Sequence, residues 1–274
     1  MSLLQLPHAR PHTLLFDWHA TLADTMDAMY HAVDDVIPRL MDSPLMDRLV
    51  KTEDCKTVED AKLVKYVREQ GRLHPKLKTD RKVSRTDIFE VLFGEDQDAK
   101  ASAHQLFDEA YRDHCGEVVP FEPKLREILG EYRSLGLTLG VLSNRKREYM
   151  EHELATIEDG SWTGLFDTMV CGDDVSTRKP APDQILKALE NLDTPPSTNC
   201  WYVGDSTTDV IAAKLAGVTA VFYNGAGWDH AWIDKIFPGT ARHPHKPDAV
   251  VDSFVELTAL VFPFWAVPVP DSAD

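Results

Sequence analysis

The chain has 274 residues, of which 43% are apolar and 27% are charged, a composition typical of a globular protein with one large domain or two modest ones. Its net charge of −16 argues against a nucleic-acid backbone or an anionic membrane surface as a partner, because both attract clustered Lys and Arg. There is no apolar run of about 18 residues that would predict a membrane span, and the N-terminus does not resemble a secretory signal. The four cysteines lack metal-binding spacing, so we expect a reducing, cytoplasmic setting with Cys171 and Cys200 in the core.

The first apolar run, Thr13–Phe16, predicts a buried β-strand. It ends at Asp17, and a carboxylate at the end of a buried strand is costly unless its charge is used or paired. A polar, helix-prone segment follows, and it contains no β-rich runs. The sequence therefore predicts a helical domain over 24–117, inserted after the first strand, and such an insertion suits a lid over a site. Its predicted helices are Asp27–Met41, Val58–Gln70, Ser84–Leu92 and Ala99–Cys115.

From residue 118 onward, short apolar runs alternate with amphipathic stretches, which indicates a parallel, right-handed βαβ sheet. Residues 1–23 and 118–260 are therefore predicted to form one α/β domain. The tail, 261–274, is rich in proline and is predicted to be neither a helix nor a central strand; an extended strap and an interface segment both remain open. The predicted strands are Leu137–Leu142, Asp167–Cys171, Cys200–Val203, Thr219–Tyr223 and Ala249–Val251, and the predicted helices are Lys124–Leu135, Ala181–Leu192 and Asp209–Ala216.

Four polar clusters are predicted to lie at strand ends of this domain. Strands that run parallel bring their carboxyl ends to one edge of the sheet, where open α/β folds bind ligands. The last cluster holds two carboxylates four residues apart, at a strand end and in the first turn of a helix, and hard oxygen ligands of this kind suit Mg²⁺. The four clusters are Asp17, Ser143-Asn144, Lys179-Pro180, and Gly204-Asp205 with Asp209.

In this order and spacing, the clusters resemble the motifs of the haloacid dehalogenase (HAD) superfamily. The inserted helical domain is similar to the cap of its phosphoglycolate phosphatase-like branch. The resemblance covers about 10–25 and 118–260, together with the position of the cap. It implies an α/β fold, in which a Rossmann-like parallel sheet carries an inserted α-helical cap domain.

The resemblance also implies a function. We expect an Mg²⁺-dependent hydrolase that cleaves a small phosphate monoester through an aspartyl-phosphate intermediate. The expected partner is a small anionic phosphorylated substrate, with no nucleic acid and no membrane, for a monomer or a homodimer. In this interpretation Asp17 is the nucleophile, while Ser143 and Lys179 hold the phosphoryl group. The expected substrate-binding residues are Thr21 and Asn144, and the expected metal ligands are Asp17, the backbone carbonyl of His19, Asp205 and Asp209.

His19 is the main departure from the family pattern, because the usual phosphatases carry a second aspartate at this position. That aspartate protonates the leaving alcohol and then activates water. Histidine is able to perform the same acid–base work, so we predict His19 as the catalytic proton carrier. Two alternatives remain open: a non-phosphatase of the same fold, such as a dehalogenase or phosphonate hydrolase, and a binding or regulatory protein that has lost turnover. The Asp205 and Asp209 pair argues against the dehalogenase, whose chemistry needs no metal.

Two smaller features complete the pattern. Ala20 stands where the family usually has glycine, which adds a methyl group to a tight turn. The helical domain carries a basic stretch between Arg72 and Arg85, and this stretch is either a face that attracts an anionic substrate or a solvated loop.

Overall fold

The computed structural model describes residues 9–80, 83, 85–240 and 244–266. These residues divide into two compact units. One unit comprises the residues up to Asp24 together with those from Val119 onward, and the other is Thr25–Val118. Among the helices described, none is both long enough and apolar enough to cross a membrane.

The first unit is built on a parallel sheet. In its described part, six strands are arranged in the order β5-β4-β1-β6-β7-β8. A short antiparallel pair, β2 with β3, joins the segment that leads into the second unit to the segment that returns from it. The predicted α/β class with a parallel sheet is therefore confirmed. The strands are β1 (Thr13–Asp17), β2 (Ala23–Asp24), β3 (Val119–Pro120), β4 (Thr138–Leu142), β5 (Thr168–Val170), β6 (Cys200–Gly204), β7 (Thr219–Tyr223) and β8 (Ala249–Val251).

Helices connect these strands and make up most of the second unit. Those of the second unit are α1 (Met26–Met41), α2 (Val58–Gln70), α3 (Pro75–Asp80), α4 (Arg85–Phe93) and α5 (Gln97–Ala110). Those of the first unit are α6 (Leu125–Ser134), α7 (Arg147–Thr156), α8 (Asp183–Asn191), α9 (Thr207–Ala216), α10 (His230–Ile236), α11 (Phe254–Val261) and α12 (Pro263–Ala266).

Strand β1 lies at the centre of the sheet because it is apolar on both faces. All five of its residues are buried, as expected for a parallel strand covered by helices on both sides. It pairs with β4 on one side and β6 on the other, and the register places Asp17 opposite Leu142 and Phe16 opposite Val203. The carboxyl ends of these three strands therefore lie side by side.

In the second unit, α1 packs against α5, and apolar side chains of both helices, among them Met29, Val33 and Phe107, are buried. Helix α2 begins with a capping box, in which the Thr57 hydroxyl accepts from the Asp60 backbone N–H and the Asp60 carboxylate accepts from the Thr57 N–H. These local signals explain why the polar sequence of this unit forms helices.

The structure corrects two expectations. The tail is not wholly extended: Pro263–Ala266 form helix α12, because proline is tolerated in the first turn of a helix, where its missing N–H has no intrahelical acceptor. Phe264 packs edge-on against Trp201, with 6.2 Å between ring centroids. The basic stretch of the second unit contains α3 and is not a continuous loop; Arg81 and Lys82 lie outside the described residues.

The turn after β1 places Ala20 at a φ of 58°, in the left-handed region that favours glycine. Its N–H donates to the Ala23 carbonyl at 2.8 Å, and the Ala23 N–H donates to Trp18 at 2.8 Å. The turn is therefore closed by backbone hydrogen bonds around a strained residue.

We predict that Ala20→Gly raises the free energy of unfolding by up to about 1 kcal/mol, because relief of left-handed strain exceeds the added entropy of the unfolded chain. Ala101→Gly, at an exposed position inside α5, is the matched control and should lower stability by about 1 kcal/mol. Urea unfolding with unchanged slope measures both. Equal destabilisation by the two changes would contradict the strain argument.

Candidate active site

Three polar residues follow the three central strands directly. Asp17 ends β1, Ser143 follows β4 and Asp205 follows β6. Because these strands are adjacent and parallel, their ends bring together residues that are up to 188 positions apart. The convergence predicted from the sequence is present in the structure.

Lys179 joins this edge from the loop after β5, nine residues beyond the strand, so the prediction that it lies at a strand end is wrong. Its ammonium Nζ lies 2.6 Å from Asp17 Oδ1, 2.7 Å from Asp209 Oδ1 and 2.7 Å from the Tyr202 hydroxyl oxygen. An ammonium has three protons, so each has an acceptor. The Lys179 side chain is only 3% exposed. Burial alone would lower the pKa of Lys179, but Asp17 and Asp209 outweigh that effect and raise it above its usual value.

The Lys179 loop is held by Asn144. The Asn144 side-chain amide donates to the Lys179 carbonyl at 3.0 Å and accepts from the Lys179 N–H at 3.0 Å. The Gln184 amide reaches the Ser143 carbonyl at 2.7 Å, and the buried Ser143 hydroxyl accepts from the Arg145 N–H at 3.2 Å. Asn144, predicted to bind substrate, therefore connects two loops of the site.

Asp209 uses both of its carboxylate oxygens inside the protein. Oδ1 accepts from Lys179 and Tyr202, and Oδ2 accepts from the N–H and the hydroxyl of Ser206 in the capping box that begins α9. A Cβ atom on Gly204 would lie 2.5 Å from Asp209 Cγ, so glycine at that position allows the carboxylate to approach the strand end.

Asp17, Asp205 and Asp209 form a cluster whose carboxylate oxygens lie within 4.8 Å of one another. Burial raises the pKa of Asp17 to about 6, with Asp209 adding to the shift and Lys179 opposing it. Burial, followed by the charges of Asp17 and Asp209, raises the pKa of Asp205 well above its usual value. When all three carboxylates are ionised, the positive charge of Lys179 offsets one negative charge and two remain. An all-oxygen cluster with that charge fits a divalent cation such as Mg²⁺.

Thr21 lies beside this cluster and is fully buried. Its hydroxyl donates to Asp205 Oδ1 at 3.4 Å, a long hydrogen bond. Thr21, which was predicted to hold a phosphate oxygen, therefore lies at the same edge of the sheet as Asp205, and its hydroxyl donates to that carboxylate.

His19 is part of a network that the sequence did not indicate. Its Nδ1 lies 3.1 Å from Nη2 of Arg145, whose Nη1 lies 2.6 Å from Glu153 Oε1. Glu153 is completely buried and its Oε2 accepts from the Trp18 indole N–H at 2.5 Å. A guanidinium has no acceptor atom, so in this arrangement Nδ1 of His19 accepts and Nε2 carries the ring proton.

Sequence reasoning missed Tyr202, Arg145 and Glu153. Tyr202 lies inside an apolar strand, where an aromatic residue is ordinary. The available signal for Arg145 was its position two residues after Ser143. Glu153 lies on α7, where its burial at the network depends on tertiary packing. Cys171 and Cys200 are fully buried, as predicted.

The chain is similar in sequence and fold to known proteins. The profile of the haloacid dehalogenase-like hydrolases matches residues 14–223. The chain belongs to the haloacid dehalogenase-like hydrolase family. The resemblance inferred from the four motif clusters is thereby confirmed.

Among its curated relatives are the phosphoglycolate phosphatases of Salmonella typhimurium, at 29% identity, and of Escherichia coli K12, at 32% identity. Each match covers 153 residues, which is 56% of this chain and 56% of the relative, so this family member aligns with about half the length of those enzymes. A predicted phosphoglycolate phosphatase of Haemophilus somnus shares the fold at a TM-score of 0.59 and 17% identity, covering 92% of this chain and 99% of that one.

We predict that Lys179→Met lowers the free energy of unfolding by about 3 kcal/mol, because Asp17 and Asp209 are then buried without their cation. The control is Lys187→Met, whose partner Glu190 is exposed and whose loss should cost less than about 1 kcal/mol. Urea unfolding compares the two. Equal losses would show that the buried triad adds nothing beyond a surface ion pair.

Proposed function

We propose that this haloacid dehalogenase-like hydrolase cleaves small phosphate monoesters through an aspartyl-phosphate on Asp17. The observation that carries the proposal is the buried contact between Asp17 and the permanent cation Lys179, beside the second carboxylate of Asp205. The similarity to phosphoglycolate phosphatases supports a small phosphorylated acid as the substrate class.

The chain's residues divide the reaction into two displacements. Lys179 holds Oδ1 of Asp17, so we assign the attack on phosphorus to Oδ2; a P–O bond to Asp17 forms while the P–O bond to the leaving group breaks. Water then attacks the same phosphorus, and the bond to Asp17 breaks with release of phosphate. The proton that this water loses balances the one that the alkoxide leaving in the first step takes up. We assign the Ser143 hydroxyl to a hydrogen bond with a phosphoryl oxygen. The Lys179 ammonium, whose three protons already have acceptors, is assigned to offsetting the charge of the phosphoryl group.

Asp17, Asp205 and the His19 carbonyl would hold Mg²⁺, with Asp209 reached through water because both of its oxygens already accept hydrogen bonds. Bound there, Mg²⁺ would offset the charge that collects on the carboxylates and phosphoryl oxygens.

We assign Nε2 of His19 to a hydrogen bond with the leaving oxygen. While Nδ1 accepts from Arg145, the His19 ring is neutral and carries its single proton on Nε2. A neutral imidazole does not act as a full acid, so proton transfer requires that this contact break and that Nδ1 take up a second proton. The acid–base role predicted for His19 stays a prediction. The same contact supports a second candidate, a binding protein in which turnover is impaired.

The first test is hydrolysis of p-nitrophenyl phosphate by wild type and Asp17→Asn, with Mg²⁺ and with a chelator. We expect Mg²⁺-dependent turnover that the chelator abolishes, that added Mg²⁺ restores, and that Asp17→Asn lacks. Turnover that persists in Asp17→Asn would contradict the nucleophile assignment. No turnover in wild type but turnover in His19→Asp would favour the binding protein.

A second prediction concerns the leaving group. Because p-nitrophenolate departs without a proton, we expect wild-type kcat for p-nitrophenyl phosphate to exceed that for phosphoglycolate by roughly 100-fold, the lower end of what general acid catalysis contributes. His19→Asp should narrow the gap, since a carboxylic acid releases its proton. Equal kcat values for the two substrates in wild type would mean that His19 donates a full proton.

The third prediction tests the contact between Arg145 and His19. Arg145→Lys keeps a cation against buried Glu153 but lacks the second arm that reaches Nδ1 of His19. The ring is then able to take up a second proton, so kcat for phosphoglycolate should rise by up to about 100-fold with stability nearly unchanged. Arg145→Met should in addition lose about 3 kcal/mol of stability. Arg133→Lys, at an exposed bridge to Asp167, is the control. An unchanged kcat for phosphoglycolate in Arg145→Lys would contradict the conclusion that the Arg145 contact keeps a second proton off His19.

A further inference from the structure

The helical unit holds a second cluster of metal-ligating side chains, distinct from the Asp17 cluster. His31 lies on α1, and His114 and Glu117 lie beyond the short 3₁₀ turn Tyr111–Asp113 that follows α5. His31 Nδ1 is 2.6 Å from Glu117 Oε2, and His114 Nδ1 is 2.8 Å from Glu117 Oε1. The Glu117 carboxylate therefore contacts two imidazole rings, one from near the start of the helical unit in sequence and one from near its end. His31 and Glu117 are 86 residues apart.

Local structure places these groups together. The His114 N–H donates to the Tyr111 carbonyl at 3.1 Å and the Glu117 N–H donates to the His114 carbonyl at 2.9 Å. These successive turns bring the His114 and Glu117 side chains to the same side of the segment. The rings of His31 and His114 have centroids 5.5 Å apart at an interplanar angle of 50°, so both rings face the shared carboxylate without stacking.

Asp35 completes the arrangement. It lies one helical turn after His31, on the same face of α1, and its Oδ2 is 2.8 Å from Nε2 of His114. His114 thus has a carboxylate on each ring nitrogen: Glu117 at Nδ1 and Asp35 at Nε2. In metal sites, a histidine ligand commonly binds the metal through one nitrogen while the other donates to a carboxylate that orients the ring.

The donor atoms of His31, His114 and Glu117 lie within 4.8 Å of one another. Tetrahedral ligands at zinc distances are separated by roughly 3.4 Å, so the short imidazole–carboxylate hydrogen bonds would have to open slightly to admit an ion. The His31 and Glu117 side chains are 48% and 39% exposed, which leaves them room to adjust, while His114, at 20%, is the more fixed ligand.

We propose that His31, His114 and Glu117 form a zinc site that joins the first and last segments of the helical unit, with Asp35 orienting His114. Two imidazole nitrogens and one carboxylate are a ligand set that Zn²⁺ accepts, with a fourth position for water. The all-oxygen cluster at Asp17 favours Mg²⁺ instead. The zinc site is independent of the proposed function, because its residues take no part in phosphoryl transfer.

The test uses the whole protein after removal of metals, titrated with Co²⁺ as a spectroscopic probe and with Zn²⁺ by calorimetry. Wild type should give the strong visible absorption of four- or five-coordinate cobalt with nitrogen ligands, and Zn²⁺ should abolish it. The absorption should persist in Asp17→Asn and disappear in His31→Gln and His114→Gln. His152→Gln, at an exposed position of α7, is the matched control and should behave as wild type.

Asp35→Asn tests the site without removing a ligand. Its zinc affinity should fall roughly 10- to 100-fold while the cobalt spectrum keeps its nitrogen character. Zinc affinity unchanged in His31→Gln, His114→Gln and Asp35→Asn, or a cobalt signal lost only in Asp17→Asn, would overturn the proposal. Circular dichroism of each variant confirms that it is folded. Phosphatase activity plays no part in these measurements, so an inactive protein would still decide the question.

Discussion

The arrangement of the sheet edge depends on a buried ammonium whose three protons all have acceptors in the protein. Lys179 contacts Asp17 at the end of β1, Tyr202 within β6 and Asp209 in the first turn of α9. Each contact offsets a desolvation cost that would be large for the lysine alone or for either carboxylate alone. Lys179 thereby links the loop after β5 to the two central strands. The Asn144 side chain holds the same loop through hydrogen bonds with the backbone carbonyl and N–H of Lys179.

This constraint explains why the acidic residues at the edge are not equivalent. Asp209 uses four hydrogen bonds to begin α9 and to hold Lys179, which accounts for both of its carboxylate oxygens. Asp17 accepts from Lys179 at Oδ1, and Asp205 accepts a long hydrogen bond from Thr21 at its Oδ1. Burial raises the pKa values of Asp17 and Asp205, because removal from water disfavours the charged carboxylate; a cation bound beside them would favour that charged form.

Much of this was predictable because strand order and local chemistry are encoded over short distances. The runs at Thr219–Tyr223 and Ala249–Val251 match β7 and β8 residue for residue, since buried parallel strands are continuous apolar segments. Helix α11 and the short helix α12 were not predicted. The apolar surface of α11 packs on the sheet domain, and the prolines beside it obscured the pattern.

The sequence by itself determined the α/β class, because apolar runs alternate with amphipathic stretches, and the resemblance of its motifs to the family pointed to Asp17, Ser143, Lys179 and Asp205. Only the tertiary structure decided which partners these residues have. The bridge from Arg145 to His19 and the pairing of His31 with Glu117 join residues 126 and 86 positions apart. No local pattern encodes such contacts, since they arise when separately formed segments pack and buried or crowded polar groups must find partners.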